Sequence, residues 1–365
     1  MNEALSNLAD DFFKNSLDSS PTSAIMRGYK EYFDQIEELT ETRFDQNLKD
    51  LDKFEKRLKE IDFNNLSNKE KVTYGMLEYA FGSNKDSLLD KSWEFGAGVS
   101  GFTGYLIDYN QQMFIPDLES ADLLLKRLEL YNQFFNQVSL VQKKGLNENR
   151  VATERNLLRT IDQIESYLKT SLEEDPLLLV NFSPEVSEED VSSWKNKAKL
   201  IIESHVRPSV NSYLEQLKSE HLPKGRSDMN PGIMWIEGGD DIYLRSLKKF
   251  TGNKDITVKE VHETGLSEIK RLKKEFFEIG KNVFADVTTP EEVIHKMQTE
   301  PSMRFESKEQ MLQMAEDIIK RAYEPLSDWF TVFPKAPCNV LPVPEESEKH
   351  APPAYYYSPL PDGSR

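Results

Sequence analysis

The sequence of 365 residues contains a single cysteine, Cys338. It cannot close an intramolecular disulfide or build a cysteine-based zinc finger, and nothing in it marks an oxidising compartment. Positive charge is in the minority: 46 Lys and Arg stand against 63 Asp and Glu, for a net charge of -17. Such a chain is repelled by nucleic-acid phosphates and by anionic membrane surfaces, which argues against both as partners. No stretch approaches the ~18 consecutive apolar residues that mark a transmembrane helix. The opening MNEALSNLADDFFKNSL carries acids where a signal peptide needs a basic and then an apolar region, so a cytoplasmic location is expected.

Histidine is also scarce, with His205, His221, His262, His295 and His350 making up all 5. The run VHETGLSEIKRL at 261–272 opens like HExxH, in which histidines at i and i+4 share a helix face and hold zinc around a general-base glutamate. Four residues after His262 comes Leu266, which cannot ligate a metal, and no other histidine has a partner at helical spacing. His262 and Glu263 therefore read as a helix-surface pair, and no metal ligand is assigned. GAGVSG at 96–101 matches the letters of a dinucleotide fingerprint, but the preceding LLDKSWEF is charged and unlike the apolar strand such a site needs. The nucleophile elbow fails at Phe102, which stands where the second glycine should be, and no P-loop occurs. Carboxylates are everywhere, so no pair can be singled out as acid and base. Cys338 lies in no nucleophile motif and reads as structural. No catalytic residue is assigned.

What the sequence has in abundance is helix signal. Phe44, Leu48, Leu51, Phe54, Leu58 and Ile61 recur at spacings of three and four, and Leu124, Leu128, Tyr131, Phe135 and Val138 repeat the pattern over 121–142. A further candidate covers 151–172. Val191, Trp194, Ala198, Ile201 and His205 form another stripe, placing His205 on an apolar face, and Pro208 should kink or end that helix. Capping boxes start at Ser67, Thr257 and Thr289, the last with Pro290 at the first helical position, and Ser307 opens SKEQ. Val261, Gly265, Ile269, Leu272, Phe276 and Ile279 then mark a long stripe, as do Met311, Met314, Ile318 and Ala322. Caps and stripes in agreement specify an all-α fold, a multi-helix array of long amphipathic helices over 1–333.

The last stretch differs, because eight of the 18 prolines fall within 334–361. Proline fixes φ and removes a donor, so 334–365 reads as an extended Pro/Tyr-rich segment with the β-prone run AYYY at 354–357. PDGS at 361–364 signals a turn that ordinarily joins strands, and a strand with no returning partner leaves ladder groups unpaired. The expectation is that structure following Arg365 would complete it.

Several segments carry a family likeness in order: SPTSAIMRGYKEYFD, LSNKEKVTYGMLEYA, GGDDIYLRSLKKFTG followed by GLSEIKRL, and FPKAPCNVLPVPEESEKHAPPAYYYSPLPDGSR. Together they resemble the bacterial domain-of-unknown-function 885 family, whose members look like zinc metallopeptidases related in fold to carboxypeptidase Taq and other helical gluzincins. In that family the HExxH helix and a later zinc-binding glutamate lie beyond the last of these segments. The resemblance thus implies an N-terminal, non-catalytic portion of a zinc peptidase, an incomplete gluzincin-like fold, inactive alone and with a missing C-terminal catalytic half as partner. It implies no cofactor in this chain, zinc belonging only to a full-length parent. It would run AYYYSPLPDGSR along a peptide-substrate groove, making Tyr355, Tyr356 and Tyr357 the candidate substrate-binding residues. On strand alternation Tyr355 and Tyr357 share one face and Tyr356 takes the other. The alternative expectation is a complete, non-catalytic helical scaffold or peptide-binding protein, with the tyrosines packing on the helical body.

Overall fold

In the computed structural model the described residues are 2–96, 110, 113–333, 337–343 and 354–356. They form an all-α fold in two compact units, Met1–Lys254 and Asp255–Arg365. No helix among them is long and apolar enough to cross a membrane.

The first unit begins with α1 (Glu3–Ser19), α2 (Pro21–Met26), α3 (Glu41–Lys59) and α4 (Asn68–Asp90). Each of the long ones starts on a polar cap: Asn2, Thr40 and Ser67 accept N–H groups from the first turn, and Glu70 completes the Ser67 capping box. Their inward stripes meet in a cluster of Leu5, Leu8, Leu51, Phe54, Leu58, Leu66, Leu77 and Phe81. Removing a Leu or Phe side chain of this kind from water contributes about 1.5–3 kcal/mol.

The larger core is built from α5 (Leu118–Asn147), α6 (Glu154–Lys169), α7 (Glu188–Ile201) and α8 (Arg207–Gln216). Tyr131, Leu124 and Leu128 of α5 meet Leu157, Ile161 and Ile164 of α6 and Trp194, Ala198, Val210 and Tyr213 of the later helices. The aromatic ends are tied polar to polar, Trp194 Nε1 donating to Ala121 O at 2.8 Å and Tyr213 Oη to Gln142 Oε1 at 2.9 Å. Two short parallel strands not expected from the sequence, β1 (Phe114–Ile115) and β2 (Asn181–Phe182), join the connections flanking these helices. Strands of two residues leave no periodic signature.

Pro208 does not end its helix. A π-helical turn, Ile202–Val206, joins α7 to α8, and a second, Leu217–His221, follows α8. At the first, Arg207 N–H donates five residues back to Ile202 O, and Ser209 Oγ donates to His205 O and Val206 O at 2.9 and 2.8 Å. The wider turn makes room for the ring, and the serine adds a side-chain donor beside it. It also corrects the expectation for His205. The extra residue rotates everything after Ile201, so Ile202, Val206 and Val210 become the core positions and His205 is exposed.

The first unit closes with α9 (Gly239–Thr251); the second consists of α10 (Val258–Val283), α11 (Pro290–Thr299), α12 (Lys308–Tyr323) and the short α13 (Leu326–Trp329). The capping boxes at Thr257 and Thr289 and the Ser307 cap are formed as expected. Residues 337–343 and 354–356 take no regular secondary structure.

Candidate functional site

Within the second unit, α10 and α11 are locked at one crossing. A Cβ on Gly280 would come within 2.5 Å of Val293 Cγ2, and Val293 is buried beneath that bare backbone. Away from the crossing the apolar stripe of α10 is uncovered: Ile269, Leu272, Ile279 and Val283 share one face and each is exposed, Ile279 to 65%. Helix α12 has no buried residue, and its Met311, Met314 and Ile318 are exposed on one face. Trp329, Phe330, Val332 and Phe333 continue the pattern, Trp329 being 80% exposed. An amphipathic helix draws most of its stability from packing its apolar face, and among the described residues nothing buries these faces. The adjoining flank of α10 is charged, with Arg271 bridging Glu268 and Glu275 at 2.7 Å each.

The sequence-derived candidates fall as follows. Tyr355 and Tyr356 are exposed, whereas Tyr357 lies outside the described residues. His262 sits on the exposed surface of α10, and its neighbour Glu263 lies 3.7 Å from Lys259. Among the described residues no group of three His, Cys, Asp or Glu side chains is placed to hold a metal. The backbone N–H of Cys338 donates to Tyr323 Oη at 3.2 Å. His221 is buried in the second π turn, its Nδ1 3.4 Å from Gln216 O. Of GAGVSG, only Gly96 lies within the described residues.

A buried charge centre in the first unit was not legible beforehand. Arg150 pairs through Nε with Glu94 Oε2 at 2.7 Å, both side chains being buried. Its Nη1 donates to Glu237 O at 2.8 Å, its Nη2 to Asp90 O at 2.5 Å, and its guanidinium lies 5.0 Å from the Phe95 ring centroid. Three left-handed residues adjoin these contacts: Lys91 (φ 47), Asn149 (φ 57) and Gly238 (φ 71). Next to the last, a Cβ on Gly239 would fall 1.8 Å from Ile233 O, so the glycine pair opening GGDDIYLRSLKKFTG is required by shape. Every polar bond of this centre is to a structural neighbour, and it fixes the start of α9. Nothing in NENRVAT, residues 147–153, distinguishes Arg150 from the surface arginines around it.

The same unit holds two further buried pairs. Thr22 Oγ1 donates to Glu37 and accepts from Arg127, at 2.7 and 2.5 Å, while Asp175 takes Arg207 at 2.8 Å and the Tyr167 hydroxyl at 3.2 Å. Burial, with Asp175 close by, pushes the Tyr167 phenol well above its ordinary range. A hydrogen bond to Asp18 raises Tyr32 to about 12.

No curated protein matches the sequence. Solved structures share the fold, and two of them are the following. One, described as that of "the putative lipoprotein from Colwellia psychrerythraea", aligns with a TM-score of 0.82 at 18% identity, over 99% of this chain and 66% of that one. The other, described as "a putative lipoprotein of unknown function from Shewanella oneidensis", aligns with a TM-score of 0.63 at 16% identity, over 98% of this chain and 62% of that one. The present chain thus spans just under two thirds of the length of each. A family model described as "Bacterial protein of unknown function (DUF885)" matches residues 21–365, and the chain belongs to that family.

Proposed function

We propose that this chain is the helical, non-catalytic portion of a zinc-dependent peptidase, supplying scaffold and one side of a peptide groove. The uncovered apolar stripes of α10 and of α12 carry the reading: each is a face onto which a C-terminal catalytic half would fold. The greater length of the solved relatives supports it, since each has over a third of its chain outside the shared fold. In this reading Tyr355 and Tyr356, both exposed, and Tyr357 face substrate, the protein works in the cytoplasm, and zinc enters only with the added half.

The test is to express the protein with whatever its gene encodes after Arg365 and measure bound zinc and peptide hydrolysis against the 365-residue chain. The longer form should hold about one zinc and cleave peptides, with slower hydrogen exchange across 258–323. The shorter form should do neither. A zinc-free, inert longer form, or tight zinc binding by the 365-residue chain, defeats the proposal. The closed core of the first unit favours a second reading, a non-catalytic scaffold or peptide-binding protein. That reading takes over if the gene ends at Arg365.

A further inference from the structure

Helix α9 is held to the first unit in two different ways along its length. Its start is fixed by shape, with Gly239 pressed against Ile233 O and Ile242 buried. After Ile242 no residue of α9 is buried, Leu244 and Leu247 being half-buried. Neither apolar cluster of the unit includes a residue of this helix. The ties of its far end to α4 are polar. Arg245 Nε meets Asp90 Oδ1 at 2.5 Å, Lys249 Nζ donates to Ser87 Oγ at 3.2 Å, and Tyr79 Oη donates to Lys249 O at 2.8 Å. The last carbonyls of a helix have no partner within it, so the tyrosine caps one of them from outside.

The charges here face each other helix to helix. Asp86 and Asp90, four residues apart, share one face at the end of α4, while Arg245, Lys248 and Lys249 come from adjoining positions on α9. Burial pushes the Asp86 carboxyl up, against the pull of Arg245, Lys249 and Lys248, and neighbouring Asp90 adds to the rise. Carboxylates at a helix C-terminus also meet the negative end of its dipole, and α4 has no base in its own last turn. Lys85 of α4 is turned to Asp52 and Glu55 of α3. The cations of α9 therefore offset a charge that α4 leaves uncompensated. Water reaches the pair, the Arg245 and Asp90 side chains being 27% and 16% exposed, so dissolved salt weakens it.

We infer that the C-terminal turns of α9, residues 245–251, are a charge-held latch on α4. When the latch opens, those turns unwind while the start of the helix stays in place at Gly239 and Ile242. Residues 252–257 link α9 to α10 with the latch closed, and 245–257 do so with it open. The second unit, which begins at Asp255, is then on a longer and freer tether. Ionic strength sets the balance, because the closed state depends on attraction between the two aspartates and the three cations. This device uses no zinc, no peptide and no missing half, so it stands or falls apart from the peptidase reading.

The test is native-state hydrogen exchange on the 365-residue protein, read at 245–251 with 118–147 as the reference. Between about 0.05 M and about 1 M sodium chloride the protection of 245–251 should fall about fivefold, all of it together, with 118–147 unchanged. Asp90→Asn should lower that protection about fivefold at low salt and flatten its salt dependence. Tyr79→Phe removes the capping hydrogen bond and no charge, so it should lower protection and leave the salt dependence intact. Tyr79 is 53% exposed, and this variant should keep the melting transition of the first unit. The salt series on the unaltered protein decides the matter by itself if Asp90→Asn folds poorly. Protection of 245–251 equal to that of 118–147 at every salt would mean that α9 opens only with the whole unit, which overturns the proposal. Graded exchange that ignores salt and Asp90→Asn would be ordinary fraying of a helix end, and overturns it too. So does an Asp90→Asn variant whose salt response matches that of the unaltered protein.

Discussion

Phe81 and Phe276 lie on helices built by the same rules, a Ser or Thr cap closed by a glutamate and then an apolar stripe, yet they meet different surroundings. Phe81 is fully buried and touches the rings of Phe12 and Phe54, at 4.8 and 5.8 Å between centroids. Phe276 is half-buried between exposed Leu272 and Ile279. The contrast holds for the whole of each unit. The first has two buried apolar clusters, and in the second only Val287 and Val293 are buried hydrophobics among the described residues. Local rules set where a helix starts and which face is apolar. Whether that face is covered depends on what else is present to cover it.

The comparison can be broken by substitution. Phe81→Ala should cost about 3–5 kcal/mol by chemical denaturation, whereas Ile279→Ala should change stability by no more than about 0.5 kcal/mol. Equal costs would mean that the second unit's face is covered in solution. Arg150→Ala strands Glu94 in a buried site and should cost about 3 kcal/mol, followed by the first unit's cooperative transition. Gly280→Ala pushes a methyl into Val293 and should cost about 1–3 kcal/mol. Hydrogen exchange should show the loss in 258–299 and leave 118–217 unchanged.

The smallest effect is electrostatic. Lys30, at 2.5 Å, and the N–H of Ser120 hold the Asp117 carboxyl down at about 2. Its folded pKa is below the unfolded value of ~3.9, so the stability it gives is present above that pH and is lost as pH falls toward 2. Asp117→Asn keeps a capping oxygen and removes the titration. The thermal-stability profile of the variant should be flatter between about pH 4 and 2, and an unchanged profile would show that the pair is too well solvated to matter.

Much of the helical framework was legible because its signals are local. The boxes at Ser67, Thr257 and Thr289 each mark a helix start to the residue. The stripe Leu124, Leu128, Tyr131 and Phe135 is buried as its spacing implies. The reading slipped where a non-local choice entered. Counting 3.6 residues per turn puts His205 inward, whereas the segment spends one residue more. Arg150 carries no sequence signal because its partners, at positions 90, 94 and 237, are brought together only by the fold. The exposed face of α10 was half legible: periodicity marks its apolar stripe but is silent on whether it is covered.

The two π turns also bear on how the chain tolerates insertion and deletion. Each holds one residue beyond what a plain α-helix over the same span would need, and each stands two residues before a proline, Pro208 and Pro223. A relative lacking that proline could drop the extra residue and keep every later core side chain in phase. A one-residue gap between such relatives then belongs inside the helix at 202–206 or 217–221. Sliding it to the nearest loop would misassign every side chain in between by about 100° of helix rotation.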